Sequence, residues 1–260
     1  MTTPTVLFIP DRFMDHRMWV DIPDRLSGRA EAIHFDQHAD IPWTASNAEF
    51  LDAARRLAGD GGFDVVSAAG HAARFAFALA ETGSAKGLVF FGPSIDTVPD
   101  DAGIDIDIDP AEIGEMLKSL EPIVSAVASE PDTGAQRDML LQVLRATAEP
   151  DADPADLDLA GAMLGDHSED FFAVLRSVAA AAAGQPEPDP DWIRNPWINR
   201  LPGLTVPVTA VGSGFSVEAI ARRATDAEII EAAGGGLLLA PETGRAQAAD
   251  AIARMLDRVG

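Results

Sequence analysis

The chain has 260 residues and a mass of 27.4 kDa, enough for one large domain or a domain with a modest insertion. Its 19 basic and 42 acidic side chains give a formal charge of −23, a surface that repels nucleic-acid phosphates and anionic lipid. With 47% apolar and 23% charged residues the sequence can build a packed core, which excludes global disorder.

Residues Met1–Thr5 carry no basic stretch ahead of the first apolar run, so no secretory signal is predicted. Thr5–Ile9 reads as a strand, followed by a polar loop through Asp11, Arg12, Asp15 and His16 and a helix over Trp19–Leu26. Strand Ala32–Phe35, helix Asn47–Ala58, strand Phe63–Ala68, helix Ala72–Glu81 and strand Gly87–Phe91 continue the alternation, the mark of βα units on a parallel sheet. It stops after Gly92-Pro93-Ser94. About a hundred residues of helical pattern follow, at Pro110–Leu120, Glu121–Ser129, Thr133–Ala148, Pro154–Met163 and Ser168–Ala183. A polyproline-biased connector then runs from Gln185 to Asp191. The alternation resumes with strand Val206–Val211, helix Val217–Ala224, strand Gly236–Leu239 and the amphipathic helix Arg245–Arg258.

The predicted architecture is α/β, a mostly parallel central sheet flanked by helices. Residues 1–95 and 202–260 form the core, and 96–201 form a helical cap inserted after Gly87–Phe91. The cap leaves from strand carboxyl ends, where open α/β sheets bind ligands, so it is expected to act as a lid. The longest apolar runs, such as Ser177–Ala183, fall far short of the roughly 20 residues that span a bilayer, and a cytoplasmic protein with no membrane partner is expected. The absence of cysteine removes disulfides, thiolate metal sites and cysteine nucleophiles, and the absence of tyrosine removes phenolic donors.

Three motifs imitate cofactor sites and fail. Gly212-Ser-Gly-Phe-Ser-Val217 follows a strand and opens a helix like a dinucleotide fingerprint, but too little chain remains for a second βαβ unit. Asp105-Ile-Asp-Ile-Asp109 has the first ligands of a calcium loop, yet Pro110 stands where glycine is required and Met116 where glutamate is. His34-Phe-Asp-Gln-His38 puts two histidines near Asp36, on alternating faces if the strand runs on. No cofactor and no metal are expected.

The run Val6-Leu-Phe-Ile-Pro-Asp-Arg-Phe-Met-Asp-His-Arg-Met-Trp19 resembles the first strand and oxyanion loop of the α/β-hydrolases. Phe63-Asp-Val-Val-Ser-Ala-Ala-Gly-His-Ala-Ala-Arg-Phe-Ala-Phe-Ala-Leu-Ala80 is similar to their nucleophile strand, elbow and helix. Gly87-Leu-Val-Phe-Phe-Gly-Pro93 and Leu204-Thr-Val-Pro-Val-Thr-Ala-Val-Gly212 continue the order, so the resemblance spans nearly the whole chain.

Position by position the family's chemistry is missing. The nucleophile falls on Gly70, a residue suited to a turn with positive φ but without a hydroxyl; Ser67 lies too early and faces the sheet interior. The acid falls in Gly212–Ser216, which holds no carboxylate, and the histidine in Pro241–Arg245, most naturally at Arg245, which stays protonated. The oxyanion-loop pair becomes Pro10-Asp11, setting negative charge where donors belong. Ordinary Ser–His–Asp hydrolysis is therefore not expected.

His71, next to Gly70, is the candidate acid/base; its other reading is a capping and packing residue. Asp11, Arg12, Phe13, Met14, His16, Gly70, Ser94, Ile95, Trp192, Trp197, Phe215 and Arg245 are the candidate substrate contacts. Met14, Met18, Phe13, Phe171, Phe172, Trp192 and Trp197 line either an apolar chamber or the core.

The triad losses, the acidic Ala/Asp/Arg-rich composition and the intact cap resemble the atypical peptide epimerases of the bottromycin type. The resemblance implies an isomerase of antibiotic biosynthesis acting on a ribosomally made, modified peptide. It would epimerise an aspartate α-carbon beside a thiazoline, with His71 or the substrate's own carboxylate as base. Conjugation to the C=N bond acidifies that α-hydrogen, leaving a barrier that orientation in a dry pocket can meet. The alternatives are a pseudo-hydrolase that binds a small molecule or peptide without turnover, and a hydrolase with an unorthodox catalytic group.

Overall fold

Among the described residues six strands form one fully parallel sheet in the computed structural model: β1 (Thr5–Ile9), β2 (Glu31–His34), β3 (Phe63–Ala69), β4 (Ala85–Phe91), β5 (Val208–Val211) and β6 (Ala227–Ile230). The structure describes residues 3–11, 14–35, 47–95, 122, 125, 126, 129–147, 154–167, 196–232 and 242–260. The helices are α1 (Ile22–Arg25), α2 (Asn47–Ala58), α3 (Ala73–Glu81), α4 (Thr133–Thr147), α5 (Pro154–Asp166), α6 (Trp197–Arg200), α7 (Phe215–Arg223) and α8 (Glu242–Val259). The α/β fold class read from the sequence is the one observed.

Strand order is β2-β1-β3-β4-β5-β6. The chain moves outward from β1 to β2, returns to place β3 on the other side of β1, and proceeds in one direction thereafter. The reversal makes the carboxyl ends of β1 and β3 a topological switch point. Leu7, Ile9, Val66, Ala68, Leu88 and Phe90 are buried toward α2, α3 and α6. Each such Leu or Phe contributes about 1.5–3 kcal/mol by leaving water. Gly87, in alternation with Leu88, faces the other way, and a β-carbon there would lie 2.6 Å from Met255 Sδ of α8, so the glycine lets that helix sit close on the sheet.

The boundaries differ from expectation for physical reasons. Pairing of β5 starts at Val208 because Pro207 has no N–H to give the ladder. β2 lies one residue earlier than expected. The predicted helix Trp19–Leu26 is broken: a 3₁₀ turn over His16–Trp19 ends at Val20, whose φ of 47° and ψ of −116° no helix allows, and α1 restarts with Pro23 in its first turn. β6 was not expected at all. The predicted strand Gly236–Leu239, helices Pro110–Leu120 and Ser168–Ala183, the connector after Gln185 and most of Glu121–Ser129 lie outside the described residues.

By its internal contacts the chain divides into two units, Met1–Pro99 with Asp191–Gly260, and Asp100–Pro190. The first holds the sheet. In the second, α4 and α5 pack closely at Gly161, where a β-carbon would approach Leu141 Cδ1 to 2.8 Å, and Arg145 pairs with Asp158 at 2.5 Å. No helix among the described residues is long and apolar enough to cross a membrane.

Candidate functional site

The β1–β3 register pairs Ile9 with Ala68, so counting two residues onward sets Asp11 beside Gly70 at the switch point. Gly70 has φ +52°, the left-handed region expected for the turn that ends β3 and opens α3. A β-carbon on Gly70 would overlap the carboxyl carbon and both oxygens of Asp11. The Asp11 carboxylate thus fills the volume into which any side chain at position 70 would project.

The carboxylate is 5% exposed as a residue and is held by the turn beneath it. The His71 backbone N–H donates to Asp11 Oδ1 at 2.8 Å, and His71 Nδ1 lies 3.4 Å from the same oxygen. Amides at the start of a helix favour a negative partner, since their dipoles point at it. The Asp11 amide in turn donates to Met18 Sδ at 3.2 Å, and Asp11 O accepts from Met14 N–H at 3.0 Å. On the far side, Ser94 N–H donates to Gly70 O at 3.0 Å and ties the segment after β4 to the turn.

No protein-family model matches the sequence, and no curated protein matches it. Solved structures do. Haloalkane dehalogenase DbeA from Bradyrhizobium elkani is 16% identical with a TM-score of 0.64, over 99% of this chain and 91% of that one. MenH from S. aureus is 12% identical with a TM-score of 0.63, over 100% and 95%. A thermophilic esterase from Thermogutta terrifontis is 19% identical with a TM-score of 0.60, over 99% and 91%. The chain has the α/β-hydrolase fold.

In that α/β-hydrolase fold the turn after β3 is the place of the nucleophile, and its next backbone amide is placed to serve an oxyanion. Here the first is a glycine and the second already holds an internal carboxylate. Among the described residues of this turn, a hydroxyl-centred acyl transfer finds no attacking atom at position 70, and the His71 amide is taken by Asp11. What remains is a buried carboxylate against a half-exposed imidazole.

The other candidate residues scatter. Ile95 and Phe215, the first residue of α7, pack half-buried against the main core. Met14 is buried. Trp197 lies in the core at 3% exposure, its ring 5.9 Å from that of Phe77 and 5.5 Å from that of Phe90. Arg245 stands in the first turn of α8, its Nε 3.2 Å from Asp21, and with Glu242 and Arg25 it fastens α8 to α1. Arg12, Phe13, Trp192, Phe171, Phe172, Asp36, His38 and the Asp105–Asp109 run lie outside the described residues.

His16 is exposed, edge-on to His34 with 5.9 Å between ring centres, and His34 stacks on Phe8. Burial, and then the nearby His16, push the His34 imidazole below its usual range. No group of three or more metal-ligating side chains occurs among the described residues. A cavity of about 240 Å³ lined by Arg55, Gly62, Phe63, Leu79 and Ser84 lies at the amino end of β3, the far end of that strand from Gly70.

The pairing of Asp11 with His71 was not read from the sequence, where they stand 60 positions apart. The signal that reveals it is geometric: with β1 and β3 as neighbours, residues two beyond each strand meet.

Proposed function

We propose that the chain is a non-hydrolytic enzyme that moves a proton at an activated carbon, an epimerase acting on an aspartate α-carbon next to a thiazoline in a ribosomally made, modified peptide. The observation that supports this reading most is the Asp11 carboxylate filling the space over Gly70 while holding the His71 amide. It occupies the space a nucleophile at position 70 would need and the amide that follows it, and it sets a carboxylate and an imidazole at the switch point. A carbon acid conjugated to C=N needs little more, because its anion is spread over the ring nitrogen. The resemblance to peptide epimerases supplies the substrate class.

The test is incubation in deuterated water with a thiazoline-containing, aspartyl modified peptide, beside ester and haloalkane panels. Uptake of one deuterium at the α-carbon with inversion, and no cleavage of either panel, is the expected result. A second reading rests on the same placement: a hydrolase in which a carboxylate stands where the serine would be. Its mark is a covalent ester on the peptide that contains Asp11, and finding one would displace the epimerase. Binding of the modified peptide with neither exchange nor adduct would make the chain a carrier.

A further inference from the structure

We propose that the turn Gly70–His71 is a binding site for one small carboxylate, and that Asp11 occupies it as a tethered ligand that shuts external anions out of the switch point. With no side chain at position 70 and φ +52°, the turn leaves a volume above itself. A β-carbon built there would lie 2.3 Å from the Asp11 carboxyl carbon and 2.4 Å from each of its oxygens. Near-equal distances to all three atoms put that point over the face of the carboxylate, so the whole group sits in the volume instead of grazing it with one oxygen. One oxygen is also held. The His71 N–H donates to Oδ1 at 2.8 Å, the length of a charge-assisted hydrogen bond.

The carboxylate is not a local cap. Neither Ala69 nor Ala72, which precede the 3₁₀ turn Gly70–Ala72 and α3, makes a side-chain capping bond, and the anion arrives from a neighbouring strand 60 positions away. Its backbone is fastened separately. The Asp11 amide donates to Met18 Sδ and its carbonyl accepts from Met14 N–H, so position 11 stays anchored when the side chain is cut back. At 5% exposure Asp11 has left water, and a charge does so only against donors that replace its hydration. Tethering places the group at an effective concentration of millimolar order or more, so a free carboxylate at ordinary concentrations does not displace it. Asp11 is thereby a specificity-determining residue, one that keeps the anionic groups of any ligand off the turn.

The tether also sets the size of the ligand. Asp11→Gly deletes a CH₂–COO⁻ unit, and acetate restores those atoms. Asp11→Ala keeps the β-carbon and deletes the carboxylate alone. Formate restores that group, whereas the methyl carbon of acetate would fall on the retained β-carbon.

Thermal unfolding of the full chain in sodium formate, acetate and chloride at matched ionic strength tests this. No modified peptide is needed, so the outcome is separate from that of the epimerase reading. About 100 mM acetate is expected to raise the Tm of Asp11→Gly by about 4 °C beyond chloride, the shift produced by a ligand at ~10 times its Kd. Formate should do the same for Asp11→Ala and acetate should not, while the wild type should respond to neither beyond chloride. The backbone amide signal of His71 is found among the five histidines by selective nitrogen-15 labelling and by its loss in His71→Gln. It should move upfield in Asp11→Gly and return with acetate. Equal responses of both variants to both anions, or none beyond chloride, would overturn the site. A wild type that responds as the variants do would overturn the tether. A variant that folds only with its matching anion would support the proposal. Variants unfolded with and without that anion would make Asp11 a part of the scaffold and overturn it.

Discussion

At position 70 conformation and volume act together. A residue other than glycine there must adopt φ near +52°, and its β-carbon must displace the Asp11 carboxyl group from the His71 amide. Gly70→Ser is thus expected to destabilise the fold by about 3 kcal/mol, from backbone strain and a displaced buried charge, and to yield no esterase. Gly70→Ser with Asp11→Gly should recover about half of that loss, because contacting sites are not additive. Urea unfolding of the wild type and the two variants checks both statements, and equal stability of single and double variants would refute the shared volume. The glycine was legible in the sequence because the strand–turn–helix pattern around it demands a positive φ. The charge at Asp11 was legible too. That the two groups compete for one space was not, since it depends on strand order.

The elements show the same division. β1 and α2 coincide with their sequence patterns, because an unbroken apolar run and an amphipathic repeat each have one interpretation. β6 escaped because it is four residues long and includes Glu228, an edge-of-sheet pattern that neither alternates cleanly nor forms an apolar run. The helix through Val20 failed because only tertiary context, with Met18 and Trp19 fully buried on one side of the turn and Ile22 on the other, holds a β-branched residue at positive φ.

β2 carries the second prediction. His34 has its imidazole pushed below the usual histidine value of 6.5 by burial and by His16. The unfolded chain takes up a proton there before the folded one does. Stability is therefore full above pH 6.5 and falls as the pH drops from 6.5 toward the lower folded value. His34→Gln should flatten that part of the profile. An unchanged slope between pH 7 and pH 5 in thermal unfolding would count against the buried neutral ring. At the other end of the sheet Asp64 joins β1 to β4 through Thr5 and Lys86; burial pushes its carboxyl up, but the Lys86 and Thr5 hydrogen bonds outweigh this and hold it below 3.8. Its contribution is present above that value and is lost only in stronger acid.

At the scale of the whole molecule the net charge of −23 sets the electrostatics. The arginines that anchor α1 and α8, Arg25, Arg29, Arg245, Arg254 and Arg258, are each paired with carboxylates at the surface. Exposed pairs contribute little individually and weaken in salt. The unbalanced acidic excess repels itself in the folded state more than in the expanded one, and salt relieves it. Raising sodium chloride from low to physiological strength should therefore lift Tm by about 2–4 °C, the equivalent of ~1 kcal/mol for a chain of this size. A fall in Tm would mean that the ion pairs outweigh the repulsion.

The shared volume at Asp11 and Gly70 also gives the site a direction in time. A serine at position 70 and the Asp11 carboxylate in its present place cannot coexist, so a lineage passing from one to the other must empty position 70 first and fill the space from position 11 afterwards. The return has to begin at position 11, with a change that frees the His71 amide and creates no activity of its own. One substitution closes neither route, yet each must be travelled in a fixed order, which makes the present arrangement easy to keep and hard to reverse.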